Sequence, residues 1–550
     1  MTMRRLASAL LALLLASCGA CGDTSTPIDQ VPPDSPGAET APGWWNGAVV
    51  YEVFVRSFRD ASGDGTGDLS GLVQKLDYLN DGNAATDDDL GVDAIWLMPV
   101  YESPSDHGYD VADLDAVERD YGTGEGFATL VREAHARGIK VVLDFVPNHT
   151  SSMHPWFRDS ASSAGSAHRD WYVWSSTLPP GWGRPWDSSQ AVWFPASTGY
   201  YYALFWSGMP DLNWTNPAVA SEMSAAARRW LARGADGFRF DAVRYLVENG
   251  PDAGQQDQPG THAALRSLAA DLRAARPNLL MVGECWADTA TIATYFGSTD
   301  VVPEGDELPL LFDFPLAGAI VGALQSRTAW GIASTLDAVT AAYPAGVGDA
   351  PFLTNHDMVR LATVLGNDPG LLRMAASILL TLRGTPFIYY GEEIGLQNGP
   401  SYADEDKRTP MAWDGSPGAG FTAGTPWHAL APRAPDGNVA SQTGDPASLL
   451  SRYRRLIRVR QASPAIRLGA LVRIAAGDAG VVAWLRTGGS ETVLVAHNVG
   501  ASTATLTLAA PGTAAEGLFV DPGAGIAAAA GGGFDVTLPS LTTGVWRLVP

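Results

Sequence analysis

The sequence predicts an α/β protein built on a closed (β/α)8 barrel, with a long irregular insertion after the third strand and a separate antiparallel β domain at its end. Three observations carry this reading. Eight short apolar, strand-like runs recur between Val49 and Tyr390. Amphipathic helical patterns separate them, such as Gly126–Arg137 (apolar Phe127, Leu130, Val131 and Ala134) and Ala218–Arg233. After Pro464 the pattern changes to alternating or apolar runs with Gly-rich turns. Strands alternating with helices call for a parallel sheet, and eight such units close into a barrel. An open doubly wound sheet is the alternative on periodicity. No glycine-rich dinucleotide or phosphate loop follows the first strand, which counts against it.

The chain starts with a processing segment. Arg4 and Arg5 precede the apolar run Leu6–Ala16, which is too short to span a bilayer, so residues 1–17 read as a signal peptide. Leu15-Ala16-Ser17-Cys18 resembles a bacterial lipobox, in which Cys18 becomes the lipidated first residue. A plain secretory signal cleaved near the same place is the alternative. Export is expected either way, and Gly19 after Cys18 favours the outer membrane of a two-membrane cell. Residues 18–43, rich in Pro, Ser, Thr, Asp and Gly, read as a solvated tether. Only Cys18, Cys21 and Cys285 are present, so no disulfide framework holds the fold. With 36 Lys and Arg against 59 Asp and Glu, the net charge is −23. Nucleic acid and anionic lipid headgroups are therefore poor partners, and a neutral ligand is expected.

The first barrel portion, 44–146, carries strands at Val49–Val55, Ala94–Met98 and Lys140–Phe145. The insertion, 147–210, holds seven tryptophans from Trp156 to Trp206. A long segment at this place lies over the catalytic face of a barrel, and indole rings can stack on sugars. The bland reading is that these rings form the insertion's own small core. The second barrel portion, 211–463, carries strands at Gly237–Asp241, Leu279–Glu284, Leu310–Phe314, Ala350–Thr354 and Pro386–Tyr390, then the helix Ser448–Gln461. In the last part, 464–550, strands are expected at Val482–Arg486, Thr492–Asn498, Ala504–Ala509 and Gly533–Leu538.

Polar residues cluster at the strand ends. Asp144, Asp241 and Glu284 close the third, fourth and fifth strands, and Asn355-His356-Asp357 follows the seventh. A barrel gathers such residues at one rim. Paired carboxylates without a nucleophilic Ser or Cys point to glycoside chemistry, in which one acid attacks the anomeric carbon and the other protonates the leaving oxygen. The two need pKa values pushed apart. Arg239 shares a strand face with Asp241 and is expected to hold it ionised. Cys285 and Trp286 give Glu284 less polar surroundings, suited to a protonated acid.

Asp144-Phe-Val-Pro-Asn-His149, Gly237-Phe-Arg-Phe-Asp241, Gly283-Glu284 and Leu353-Thr-Asn-His-Asp357 resemble, in order, the four short regions of the α-amylase family. Tyr51, His107-Gly-Tyr109-Asp110, Tyr390-Gly-Glu-Glu393 and Lys407-Arg-Thr-Pro-Met-Ala-Trp413 fit the same family. The resemblance implies a TIM barrel with an irregular domain B and a C-terminal β-sandwich. It implies Asp241 as nucleophile, Glu284 as general acid/base and Asp357 as the third acid. Tyr109, His107, Asp144, His149, Arg239 and His356 would hold the cleaved glucose. Met209-Pro-Asp-Leu-Asn213 is similar to a group between oligo-1,6-glucosidases and neopullulanases that includes α-amylases. Ala242 after the nucleophile resembles α-1,4-acting members, whereas Arg244-Tyr245 departs from the Lys-His of many amylases.

Asp60-Ala-Ser62-Gly-Asp64-Gly-Thr66-Gly-Asp68 alternates oxygen donors with small residues, as in a calcium loop. It is similar to the loop of oligo-1,6-glucosidase-like enzymes, with Ser62 where Asn is usual; an acidic turn is the alternative. Asn148 and Asp211 are a second candidate Ca2+ set. The resemblance implies an exported, tethered and monomeric α-amylase acting on α-glucans, without an organic cofactor. A pullulan- or maltodextrin-acting relative, or a glucanotransferase, is the alternative. A non-catalytic glycan-binding lipoprotein is the remote one.

Overall fold

The computed structural model describes residues 43–550 apart from positions 402, 433, 435 and 436. The expected signal peptide 1–17, the expected lipidation site Cys18 and the expected tether up to residue 42 lie outside the described residues.

Seven strands pair in parallel in the order Leu310–Leu311, Leu280–Gly283, Gly237–Phe240, Lys140–Phe145, Ala94–Leu97, Val50–Val53 and Phe387–Tyr389. The expected strand Ala350–Thr354 fills the gap without becoming a regular strand. Ala350 makes one parallel bridge to Phe312, and on the other side Phe387 N–H donates to the Pro351 carbonyl at 2.9 Å. Pro351 has no N–H to donate, so a ladder cannot run through it. The ring of staves nevertheless closes, and the fold is a (β/α)8 barrel.

Strand periodicity fixes what faces the barrel lumen. Val50, Ala94, Trp96, Val142, Leu280, Val282, Ala350, Phe352 and Phe387 form one apolar cluster. Their alternates Tyr51, Ile95, Leu97, Val141, Leu143, Phe238, Phe240 and Met281 pack instead in the larger core. Successive residues of a strand point to opposite faces. The lumen parity therefore continues to Glu52, Asp144, Arg239, Asp241 and Glu284, above an apolar floor. The surrounding helices are capped as their sequences dictate. Thr123 accepts from Gly126 N–H at the start of Gly124–Ala136. Asn216 accepts from Ala218 N–H, and Pro217 opens Pro217–Ala232.

Between the third and fourth barrel strands lie the helix Pro155–Ser162 and an antiparallel sheet of Trp174–Ser175, Gly199–Tyr202 and Trp193–Ala196. Trp182 packs edge-on against Trp193 at 5.5 Å, and Trp156 against Trp171 at 4.7 Å. Most of the tryptophans are thus spent on the insertion's own packing. Trp186 and Trp206 stay 51% and 47% exposed and line clefts on the barrel rim.

The helix Leu449–Ala462, capped by Ser448, returns the chain to the barrel. Beyond it, a five-stranded antiparallel sheet faces a three-stranded one around Leu494, Leu508, Phe534, Val536 and Trp546. Four of these strands match expected runs, and four others had no clear signature: Ala470–Ile474, Ala514–Val520, Gly525–Ala528 and Thr542–Val549. Ala514–Val520 carries a register shift at Gly517/Phe519. In Thr542–Val549, Gly544 leaves room for an indole: a Cβ there would come within 1.8 Å of the Trp546 ring. Both features interrupt the alternation that marks a strand.

Candidate active site

One guanidinium organises the rim. Arg239, fully buried, donates through Nη1 to Asp144 Oδ1 at 2.7 Å and Asp241 Oδ1 at 2.8 Å. Its Nη2 lies 3.0 Å from Glu284 Oε2. Its plane sits over Trp96 and Tyr109 at 5.3 and 5.5 Å from the ring centres. Three buried carboxylates share this one cation, and each belongs to a different strand end. A guanidinium fork presents several donors in fixed directions, which a lysine could not do.

The backbone positions the acids. Asp241 N–H donates to the Phe145 carbonyl at 2.9 Å, and Glu284 N–H to that of Phe240 at 3.0 Å. Just past Asp241 the chain turns through Ala242, whose φ of 51° is left-handed and unusual for a residue with a Cβ. That turn aims Ala242 N–H at Glu284 Oε2, 3.0 Å away. On the other oxygen, Oε1, Glu284 accepts the Trp286 indole N–H at 2.7 Å. The residue expected to make Glu284's surroundings apolar thus supplies a hydrogen bond to it.

The charges differ from the expectation in a second way. Burial pushes the Asp241 carboxyl well above the usual range; Arg239 opposes this, while Glu284, Asp144 and Asp357 add to it. Arg239 is divided among three acids, so its pull toward the ionised form of Asp241 is opposed by burial and by the neighbouring carboxylates. Asp144 is likewise pushed up to about 6, by burial against the pull of Arg239 and His356. Asp357 behaves oppositely. Burial works against its charge, but His356 and Arg408 hold it far below the carboxylate range. Arg408 Nη2 donates to Asp357 Oδ1 at 3.0 Å, and His356 Nε2 lies 3.2 Å from Oδ2.

The remaining candidates converge on a cavity of about 380 Å³ lined by His107, Tyr109, His149, Asp241, Glu284 and Asp357, together with Asp404 and Arg408. Tyr109 donates to Asp144 Oδ2 at 2.8 Å, where Trp96 Nε1–H also donates at 3.3 Å. His107, Tyr109 and His356 stack in sequence at 6.0 and 5.4 Å. His149, held neutral by burial with its pKa lowered to about 3, leaves Nε2 without a protein partner. Adjoining this cavity through Glu284, Asp357 and Phe205 is a second one of about 540 Å³, lined by Trp186, Tyr245 and Trp286. Arg244 is not free to reach into it: Nε donates to Asp257 Oδ1 at 2.9 Å and Nη1 to the Trp286 carbonyl.

Sequence reasoning passed over Trp96, Phe205 and Asp404, and used Glu52, Trp286 and Arg408 only as flanking or motif residues. Strand parity could have flagged Glu52 and Trp96, since Glu52 shares its face with Val50 and Trp96 with Ala94.

The expected metal loop is closed by its own groups. Asp60 Oδ1 accepts from Gly63 N–H at 2.7 Å and Ser62 Oγ at 3.0 Å; Oδ2 accepts from Gly65 N–H at 2.8 Å and from Thr422 Oγ1. Asp68 accepts from Ala61, Ser62 and Gly71 N–H, and Asp64 from Thr66 N–H. Among the described residues no three acidic, His or Cys side chains converge as a metal cluster. Asp60, Asp64 and Asp68 thus spend part of their acceptor set on the loop's own N–H groups. Asn148 and Asp211 fit an oxygen-seeking ion better. Among the described residues, Asn148 Oδ1 is buried without a hydrogen-bond partner. Asp211 is buried and, among the described residues, accepts from Asn148 Nδ2 at 2.8 Å and Leu204 N–H at 2.9 Å. Burial pushes its carboxyl well up, and Glu248 adds to this.

A barrel with acids from several strand ends gathered at one rim, over a cleft roomy enough for sugars, defines a glycoside-processing enzyme. The sequence model described as "Alpha amylase, catalytic domain" matches residues 52–469. Alpha-amylase 3 of Dictyoglomus thermophilum is 38% identical over 461 residues, 83% of this chain and 85% of that protein. The oligo-1,6-glucosidase of Parageobacillus thermoglucosidasius is 33% identical over 520 residues, covering 83% and 90%. Trehalose synthase/amylase TreS of Mycobacterium tuberculosis is 34% identical over 506 residues, covering 83% and 82%. The crystal structure of the α-amylase from H. orenii superposes with a TM-score of 0.81 at 36% identity, covering 92% of this chain and 99% of that one. The chain belongs to the α-amylase family of glycoside hydrolases.

Proposed function

We propose that this enzyme is a retaining α-amylase that cleaves internal α-1,4-glucosidic bonds of starch, glycogen and maltodextrins. The observation that carries this reading is the pair of adjoining cavities meeting at Glu284 and Asp357. One side is a tight polar pocket for the glucose that is cleaved. The other, flanked by Trp186 and Trp286, offers aromatic faces to further sugars of a chain.

In this reading Asp241 attacks the anomeric carbon and forms a glycosyl ester, while Glu284 protonates the leaving oxygen and then deprotonates the incoming water. Both carboxylates lie on one guanidinium fork, which supports the short separation a retaining mechanism needs. Asp357, kept ionised by His356 and Arg408, accepts the hydroxyls of the distorted ring. His107, Tyr109, Asp144, His149, Arg239 and His356 hold that sugar. Calcium, bound by Asn148 and Asp211, would tie the insertion to the barrel and supply charge compensation. Export on a lipid at Cys18 to the cell envelope suits an enzyme that meets an external polymer, and the described chain would work as a monomer.

Soluble starch should release short maltooligosaccharides whose new reducing ends are initially α-anomers. Initial β-anomers would overturn the retaining mechanism. A product profile on starch, pullulan and maltotriose tests the bond preference. The second reading is a pullulan- or maltodextrin-acting enzyme or glucanotransferase. It draws on the two exposed indoles, which could favour a sugar acceptor over water, and would appear as panose from pullulan or longer products from maltotriose.

A further inference from the structure

We propose that Glu52 is a positioning residue for the third acid: through the buried imidazole of His356 it fixes the orientation and charge of Asp357. The inference rests on the reading of Asp357 as a catalytic acid. Glu52 lies on the first strand, His356 after the irregular seventh segment, and both are almost completely buried. Glu52 Oε1 is 2.6 Å from His356 Nδ1. The other ring nitrogen, Nε2, is 2.6 Å from Tyr109 Oη and 3.2 Å from Asp357 Oδ2.

The protons around the ring can be assigned from their partners. Tyr109 has one hydroxyl proton, and Asp144 Oδ2 at 2.8 Å takes it. Tyr109 Oη therefore meets His356 Nε2 as an acceptor, as does Asp357. On the other edge Nδ1 meets the carboxylate of Glu52. A neutral imidazole would turn a lone pair toward one of these oxygens, so both nitrogens carry protons. Other charged or polar groups face this unit from neighbouring elements. The Trp96 ring stands edge-on to the imidazole at 5.7 Å. Arg408 donates from Nε to the His356 carbonyl at 3.1 Å. Tyr389 pairs with Glu52 in the barrel sheet. Arg239 and Asp144 lie beyond Tyr109.

Burial opposes the imidazolium, but Asp357 and Glu52 outweigh it and raise its pKa to about 10. Arg408 alone cannot take over, because it approaches the other oxygen of Asp357. Without the charge of Glu52, His356 loses one of its two anionic supports. Its neutral form then appears at lower pH, and Asp357 loses the N–H that orients Oδ2.

The test uses the mature enzyme with 15N-labelled histidine, His356 being assigned by the signal lost in His356→Gln. In the wild type both His356 nitrogens should stay protonated through about pH 9. Glu52→Gln should lower that midpoint by more than about one pH unit and move the alkaline limb of kcat on starch with it. Its kcat should fall about tenfold to a hundredfold with KM changed less than about threefold, as expected for loss of a charge-assisted hydrogen bond. A singly protonated His356 in the wild type at pH 8 overturns the inference, whether or not the variant folds. So does a folded Glu52→Gln enzyme whose pH profile superimposes on that of the wild type. The imidazole measurement needs no substrate, so its failure is distinct from a failure of the amylase reading.

Discussion

The indole N–H of Trp286 donates to Glu284 Oε1 at 2.7 Å, although Trp286 itself stands at the edge of the outer cleft. The side chain thus reaches the outer cleft with its ring and the Glu284 carboxyl with its nitrogen. Trp286→Phe keeps an aromatic face and removes the donor. Its kcat on starch should fall about tenfold to a hundredfold, while KM rises less than about threefold. Steady-state kinetics on starch and maltoheptaose check this.

Asp241→Asn replaces the carboxylate proposed to attack the sugar with an amide of the same shape. Activity should fall by at least about 10⁴-fold. The variant should unfold at the wild-type temperature or above, because one of three acids crowding Arg239 is neutralised. Thermal unfolding beside an activity assay separates lost chemistry from lost fold.

The cation proposed at Asn148 and Asp211 makes chelation a stability measurement. EDTA should lower the unfolding temperature of the wild type, and added Ca2+ should restore it. Asp211→Asn should abolish the response, whereas Asp64→Asn in the self-closed loop should retain it. Scanning calorimetry with and without chelator distinguishes the two places.

His497 makes the seam between barrel and β-sandwich sensitive to acid. It is buried between Thr381 and Thr543, with Oγ1 atoms at 3.1 and 2.9 Å from its ring nitrogens. Burial lowers its pKa to about 3. The unfolded chain binds this proton near pH 6.5 and the folded chain does not, so stability falls as pH drops through that interval. One such group contributes at most about 1.4 kcal/mol per pH unit. His497→Gln should flatten urea-unfolding free energy against pH between 6 and 4 relative to the wild type.

The barrel was legible because its staves are apolar runs separated by amphipathic helices, and the rim acids because each follows such a run. What the sequence concealed is direction. Glu52 within Val50–Val53 looks like an interruption until barrel closure puts it on the same face as Val50. Trp286 reads as apolar until its nitrogen finds Glu284. Ala350–Thr354 has the composition of a strand, yet Pro351 denies it a ladder. In the β-sandwich, Gly517 and Gly544 break the alternation that would have marked two more strands. The Asp60–Asp68 spacing resembles a cation loop, but spacing does not say whether carboxylates turn to an ion or to the loop's own N–H groups.

The barrel hoop is stitched unevenly. Its seventh stave is joined to its neighbours by the Ala350–Phe312 bridge and a few backbone bonds at Asp349 and Pro351. The staves before Asp241 and Glu284 are laddered on both sides. The third acid therefore hangs from the most compliant part of the frame, while the other two hang from stiff parts. On the proposed reading, such a mounting would let Asp357 follow a sugar ring as it flattens, within the reach set by its contacts to His356 and Arg408. Amide exchange should record this unevenness as faster opening at 352–357 than at 237–241.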